Sequence, residues 1–448
     1  MSFLLPALIL GCAQDTLSIN SSSTAYEDAP WTTEEMNTSR ILVQRRDGIQ
    51  ENIRFQNREL PILRSMDRLD IHEIEIPEGL STQDVIQDLL DSGEYNFVEP
   101  VLTRSLPEYN SMEFTGDPTR APNDPFLSFQ TNMTIVQGTE LTNTGTGVVV
   151  AVIDTGVATG GADTPVNMLT GYDFVNNDTN AADDEGHGTH VAGTIAQATN
   201  NSVGAMGLSP DVSIMPLKVL DANGEGFSSD TVLALEYALE NGADVVNLSL
   251  GSNTASTAEE TAINELLAAG IAVVAANGNE GITNNGVLYP AAYSGVVSVS
   301  ATNMDGTLAS YSNAGPETDF AAPGGELNED LNNDGYGDGI LQETINGNSY
   351  GYFLYEGTSM ATPHVAAAFA AVMSAGASAS DAEFYLQSTA ADLGTTGFDS
   401  LYGYGEIRVQ DAIDAYVNAQ GNARNLNNLS VGDLIITEIM TDPEQVAD

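Results

Sequence analysis

Three short motifs built from small residues carry an acid, a base and a nucleophile, in that order. Asp154-Thr-Gly closes an apolar run, His187-Gly-Thr-His-Val-Ala-Gly193 follows, and Gly357-Thr-Ser-Met-Ala-Thr-Pro363 comes last. A neutral serine hydroxyl is a weak nucleophile, so attack by Ser359 needs a base that takes its proton as the bond forms. His187 suits the task because imidazole titrates near neutrality. Asp154 would accept from its other ring nitrogen, fixing the tautomer and stabilising the imidazolium. Ser359 opens a run of small residues, Ala361 to Ala371, with Pro363 expected in the first helical turn. The N-terminus of that helix favours negative charge, so the Ser359 N–H can donate to a tetrahedral oxyanion. A second donor is expected from Ala275-Ala-Asn-Gly-Asn-Glu-Gly281, where Asn277 and Asn279 compete. Gly186 and Gly188 are expected to let the backbone beside His187 pass close to a substrate. His190 reads as a structural histidine and His72 as a surface one.

These groups need a frame. The runs Val148–Ile153, Val212–Leu220, Asp244–Leu250, Ala272–Ala276 and Val296–Ser300 read as buried strands. Ser228–Asn241 and Ala258–Ala269 have helical spacing, each ending before a capping glycine, Gly242 or Gly270. Alternation of this kind predicts an α/β fold, a parallel β-sheet flanked by helices on both faces. Functional groups of such sheets gather beyond the carboxyl ends of the strands, where Asp154, Ser249 and Asn279 fall. Further upstream, Ile71–Ile76 alternates like a strand, Ser81 caps a helix over Val85–Leu90, and Tyr95–Pro100 reads as another strand, a small α+β module.

Composition narrows the partners. The chain of 448 residues has 63 acids against 12 bases and a formal charge of −51. That balance excludes nucleic acid, whose phosphates are bound through Lys and Arg. It points to a saline or calcium-rich setting, where salt relieves self-repulsion. Arg40–Arg68 departs from the trend with seven Arg against four acids. This contrast is expected to help the N-terminal module dock on the acidic remainder. Cys12 is the only cysteine, so there is no internal disulfide.

The motifs Asp154-Thr-Gly, His187-Gly-Thr-His and Gly357-Thr-Ser-Met-Ala together resemble the subtilisin-like serine proteases, over about Asn123 to Gln420. The resemblance implies an endopeptidase acting on polypeptides through Asp154, His187 and Ser359, and it selects Asn279 over Asn277 as oxyanion donor. Ser249, Leu250 and Gly251 would pair with an extended peptide, and Ala276 and Gly278 would line the opposite wall of the pocket for the residue before the cut. Glu280, at the mouth of that pocket, would admit Lys or Arg. His364 would be a packing residue of the serine motif. Ala367 stands where the family usually has glycine, and Asn277 where alanine is common.

The module ending in Val98-Glu-Pro100 resembles the family's inhibitory propeptide, which has a ferredoxin-like fold. The implied division is a signal over 1–12, a tether over 13–38, the propeptide over 39–106 and a processing linker over 107–122. The catalytic domain then spans 123–425 and a linker with the start of a lamin-tail-like β domain spans 426–448. Phe3–Leu10 followed by Gly11-Cys12 resembles a bacterial lipoprotein signal. It implies export, to the extracellular space or the outer-membrane surface, with a lipid anchor on Cys12.

Three loops point to structural Ca²⁺. Asp330, Asn332, Asp334 and Asp338 place oxygens at the spacing of a calcium loop, with Gly335 at its turn. Asp173, Asn176, Asp178 and Asn180 resemble a calcium loop of thermitase-like members. Asn201 with Asp163 resembles the family's strong site. The enzyme is expected to be a monomer. The alternative from another class is a catalytically idle, calcium-dependent surface binding or adhesion protein on a protease fold.

Overall fold

The structure, a computed structural model, describes residues 36–46, 52–116, 123–282 and 286–427. Cys12 with its apolar run and the segment Leu429–Asp448 lie outside the described residues. Among the described residues no single helix is long and apolar enough to cross a membrane.

The N-terminal module contains β1 (Met36–Arg45), the hairpin β2 (Arg54–Phe55) and β3 (Arg58–Glu59), then β4 (Ile62–Met66) and β5 (Ile71–Glu75). After these come α1 (Thr82–Ser92) and β6 (Tyr95–Ser105). Ser81 caps α1 by accepting from the Asp84 N–H, and Gly93 ends it at a φ of 70°. The antiparallel sheet runs β6-β1-β5-β4, the ferredoxin-like order. Between β1 and β4 the described residues form the β2–β3 hairpin where that fold usually has a helix. His72, expected at the surface, is buried on β5 with Nδ1 on the Ser65 hydroxyl at 2.9 Å.

The segment expected to be a linker contains a further strand, β7 (Asn110–Glu113). Beyond it come α2 (Thr131–Ile135), β8 (Val149–Asp154), β9 (Tyr172–Asp173), α3 (His187–Ala196), β10 (Ser213–Lys218) and β11 (Glu225–Phe227). The chain continues through α4 (Ser228–Glu240), β12 (Val245–Leu248), α5 (Thr257–Ala268), β13 (Ala272–Ala276), β14 (Val297–Thr302) and β15 (Phe320–Pro323). It closes with β16 (Ile340–Asn346), β17 (Ser349–Glu356), α6 (Thr358–Ser374), α7 (Ala379–Thr389) and α8 (Val409–Asn427).

Seven strands form one sheet in the order β15-β14-β13-β12-β8-β10-β9, and all its pairings are parallel. Alternate side chains supply its two faces. Val150, Val152, Ile214 and Val274 pack against α3 and α6. Ala151, Ile153, Leu217 and Leu248 pack against α4 and α5, with Leu42, Met66 and Val101 of the N-terminal module in the same cluster. Strand order reverses at β8, whose neighbours β10 and β12 lie on opposite sides. Such a switch point opens a crevice at the carboxyl ends of the strands. Asp154 is the last residue of β8.

Candidate active site

His187 is the first residue of α3, and the loop before it fixes the helix start. Asp183 is buried and accepts from the N–H groups of Glu185, Gly186 and Thr189, so it caps several free donors of the first turn. Glu185 adds Oε2, which accepts from the His187 N–H at 2.7 Å. Gly188 must be small because a Cβ there would lie 2.3 Å from the Gly156 carbonyl and 3.1 Å from the Asp154 side chain. At Gly186, φ is 123° and a Cβ would meet the Ile345 carbonyl. Both glycines therefore admit close contact within the protein rather than an approach by substrate.

That packing brings the His187 Nδ1–H onto Asp154, 2.9 Å from Oδ1 and 3.1 Å from Oδ2. Burial by itself would lower the imidazole pKa. The charge and hydrogen bond of Asp154, with Glu185 and Asp183 nearby, outweigh it and hold His187 above its ordinary 6.5. Among the described residues nothing hydrogen-bonds the buried Nε2, so its lone pair is uncommitted. His190 is locked elsewhere: its Nε2–H donates to the Ile340 carbonyl at 2.9 Å, and its ring stacks on Tyr355. Burial pushes it down to about 3, which keeps it neutral. His364 likewise holds the Met360 carbonyl and Asn132, and burial lowers it to about 4.

Ser359 is the second residue of α6, which places Pro363 sixth in the helix, beyond the first turn where it was expected. Proline cannot donate to the carbonyl four residues earlier, that of Ser359. The Ser249 hydroxyl fills the gap, donating to that carbonyl at 2.9 Å, and so ties the nucleophile's turn to the end of β12. Ser359 Oγ in turn donates to the Ser249 carbonyl at 3.2 Å, so its bond to His187 is not formed in this state.

Asn279 Oδ1 accepts from both the N–H and the hydroxyl of Thr358, which aims its Nδ2 across the nucleophile. That Nδ2 donates to the Glu108 carbonyl at 2.7 Å. Asn277 is spent inside the domain, on Ser298 and Thr318. The expected pocket walls are only partly exposed to a ligand. Gly251 lines a cleft with Ser252, Asn253, Glu280 and Leu288, whereas Leu250 and Ala276 are fully buried behind it. Gly278 spends its N–H on Thr358 and its carbonyl on the Asn313 N–H.

Residues 105–114 cross the site. Ser105 accepts from the Gly251 N–H at 3.1 Å and Leu106 donates to the Gly224 carbonyl at 3.0 Å. β6 also pairs with β11. Past Glu108, the Tyr109 ring sits 5.1 Å from His187, and its hydroxyl donates to Glu185 Oε1 at 2.8 Å. β7 then pairs with β17, Asn110 opposite Glu356, as the third strand of the β16–β17 sheet. Beneath this segment, Asp154, His187 and Ser359 are completely inaccessible to solvent. Clefts of about 590 and 600 Å³ open beside it. Sequence reasoning missed Glu185, Glu356 and Glu108–Tyr109. The acids just before His187 carried a signal, since acids favour a helix start; pairing of 110–113 with β17 carried none.

The N-terminal module holds on through buried charge. Glu99 caps α5, accepting from the Ser256 hydroxyl and from the N–H groups of Thr257 and Ala258. Arg104 and Glu259 form a two-pronged pair at 2.8 and 2.5 Å, each 1% exposed. Of the basic stretch, Arg64 reaches Asp230 at 2.6 Å and Arg68 approaches Glu265 at 3.8 Å, while Arg40 pairs with Glu73 inside the module. From the Arg40–Arg68 run, therefore, two ion pairs reach the enzyme, one onto the nearly buried Asp230 and one, Arg68–Glu265, with both side chains about half exposed.

The calcium candidates differ. Asp163 and Asn201 meet at 2.7 Å, and Asp124 accepts from the backbone of the same loop. Asp163 is buried, with no cationic partner among the described residues, and desolvation pushes it up to about 6. In the Asp330 loop, Oδ1 of buried Asp338 has no hydrogen-bond partner among the described residues, and desolvation together with Asp330, Asp334 and Glu329 raises its pKa. In the third loop Asp173 spends both oxygens on Asn176, and Asp178 accepts from the Asn180 N–H. Among the described residues, no three His, Cys, Asp or Glu side chains converge as a metal cage.

A doubly wound α/β sheet with an Asp–His pair at its switch point and a serine in the first turn of the adjoining helix defines a serine-hydrolase class of site. Residues 145–405 match the subtilase (peptidase S8) family, and the chain belongs to it. It is 42% identical over 274 residues to subtilisin E of Bacillus subtilis, a match covering 60% of this chain and 66% of that protein. A thermostable alkaline protease of Halalkalibacterium halodurans is 36% identical over 343 residues, 74% of this chain and 88% of the relative. The chain thus spans just under two thirds of the length of the subtilisin E it matches. Among solved structures, fervidolysin from Fervidobacterium pennivorans, a keratinolytic enzyme related to subtilisin, aligns with a TM-score of 0.71. That alignment has 23% identity and covers 86% of this chain and 62% of the other; it speaks to the fold alone.

Proposed function

We propose that the protein is a serine endopeptidase made as a self-processing zymogen, with residues 39–106 as its inhibitory propeptide. The observation that carries this reading is the Glu108 carbonyl held by Asn279 Nδ2, while Asn279 Oδ1 holds Thr358 next to a Ser359 that is buried with His187 and Asp154. A peptide bond there, Glu108–Tyr109, is already polarised at the oxygen that will carry negative charge. The Ser359 hydroxyl turns from the Ser249 carbonyl to the bare Nε2 of His187, which takes its proton as Oγ attacks the Glu108 carbonyl carbon. Asp154 stabilises the imidazolium, and Nε2–H then protonates the Tyr109 amine as it leaves. Water hydrolyses the acyl-enzyme with His187 again as base. Supporting the propeptide role, the module buries charge against α4 and α5 and seals the cleft.

Intact mass tests this. Expressed protein should be cut between Glu108 and Tyr109, and Ser359→Ala should stay whole, with activity lower by about six orders of magnitude, a size taken from subtilisin. A Ser359→Ala chain cut at the same bond would refute it.

Calcium fits two places. Asp163, Asn201 and Asp124 would hold one ion, and Asp330, Asn332, Asp334 and Asp338 another. Each ion would supply structural crosslinking and relieve a buried carboxylate. Export through the N-terminal segment, with or without lipid on Cys12, completes the reading.

A further inference from the structure

Two carboxylates facing the downstream half of the crossing segment share one construction. Glu185 keeps Oε2 on the His187 N–H and offers Oε1 to the Tyr109 hydroxyl at 2.8 Å. Glu356 keeps Oε2 on the Leu327 N–H at 2.5 Å and offers Oε1 to the Asn110 amide, also at 2.5 Å. In each, one oxygen is anchored to the enzyme's own backbone while the other meets a side chain of the residue first or second after Glu108. Helix capping accounts for the anchored oxygen of Glu185 but not for the offered one. β7–β17 pairing sets the backbone register, placing Asn110 opposite Glu356, so these side-chain contacts are additional to strand pairing.

Resting on the endopeptidase reading with Glu108–Tyr109 at the nucleophile, we propose that Glu185 and Glu356 are specificity-determining residues of the leaving-group side. They select polypeptides with hydrogen-bond donors at the two positions after the cut, and Lys or Arg above all at the second. Glu356 is 4% exposed. When Asn110 leaves, its offered oxygen has little water to replace the lost donor. A cationic side chain restores a charge-assisted bond, an apolar one leaves the oxygen unmatched, and a carboxylate adds like charge. Glu225 and Glu280 line the adjoining clefts, and among the described residues no Lys or Arg lines either. The chain's own Tyr-Asn satisfies both acids without charge, which lets a cationic substrate displace it.

The test uses the enzyme produced by self-processing of the full chain and internally quenched peptides Ser-Leu-Pro-Glu-Tyr-X, X being Arg, Asn, Ala or Asp. Expected kcat/KM falls in that order, with Arg over Asp by about 100-fold at low salt and by less at high salt. Glu356→Gln should shrink the Arg/Asp ratio about tenfold or more. Glu185→Gln should do the same one position earlier, for Lys against Glu. A wild-type ratio near one, or a ratio unchanged by Glu356→Gln, overturns the assignment while self-cleavage still stands. If no peptide is cut and the chain does not cut itself, the endopeptidase reading fails and the assignment with it.

Discussion

The two halves of the segment that crosses the active site are held in different ways. Upstream of Glu108 the contacts are main-chain: β6 with β11, Ser105 with Gly251, Leu106 with Gly224. The fastening itself lies further back, in buried charge between the N-terminal module and the N-termini of α4 and α5. Downstream, β7 pairs with β17, and Phe114 closes an aromatic cluster with Phe126, Phe129 and Tyr336. Cutting at Glu108 therefore separates a half that can leave with its module from a half anchored to the enzyme through Ser111–Phe114, of which only Tyr109 and Asn110 must yield to a substrate. Main-chain pairing tolerates many sequences upstream, whereas side-chain contacts to fixed acids discriminate downstream.

Changes along this line should separate the halves. At the junction, Asn279→Ala should lower kcat of self-processed enzyme by about 10²–10³, roughly 3 kcal/mol and again a subtilisin magnitude, with KM little changed. A dominant rise in KM would remove Asn279 from the oxyanion site. On the upstream side, Arg104→Ala leaves Glu259 buried and unpaired, at a cost of about 3–5 kcal/mol. The cleaved module should then no longer co-elute with the enzyme on a sizing column; retained co-elution would show that Glu99 and Arg64 suffice. On the downstream side, Tyr336 belongs to the Asp330 loop and touches Phe114 at 4.6 Å. EDTA should lower the melting temperature by several degrees and speed amide exchange at 110–113 more than at 95–105. Equal exchange at both would sever the loop from the downstream anchor.

The smallest effect concerns pH. His187 must be neutral to act, and its pKa is raised, so kcat/KM should fall with acid at a pH above 6.5. Glu185 contributes to that rise, so Glu185→Gln should move the acid limb downward by a fraction of a unit. An unmoved limb would leave Asp154 as the effective partner.

Much of the frame was legible because periodicity and small-residue motifs are local signals. Val148–Ile153 and Ala272–Ala276 read as strands, and each falls within one residue of a strand in the structure. Gly242 and Gly270 end α4 and α5 at positive φ, as glycines after helices do. Misreadings arose where a remote contact sets the outcome. His72 is on β5 but faces β4, Gly188 is small for the sake of the Gly156 carbonyl, and Asn110–Glu113 is largely polar yet pairs with β17, more than two hundred residues away.

By itself, the sequence determined which residues can exchange a proton, which runs form strands and helices, and the family to which they belong. Those properties follow from residue type and spacing along a few turns or strand repeats. Only the tertiary structure decided that Glu108 would lie on Asn279, that Ser249 would fill the carbonyl Pro363 leaves free, and that Glu185 and Glu356 would each turn one oxygen to the same segment. Such contacts join distant segments whose hydrogen-bonding groups are uncommitted until the sheet and helices bring them within reach.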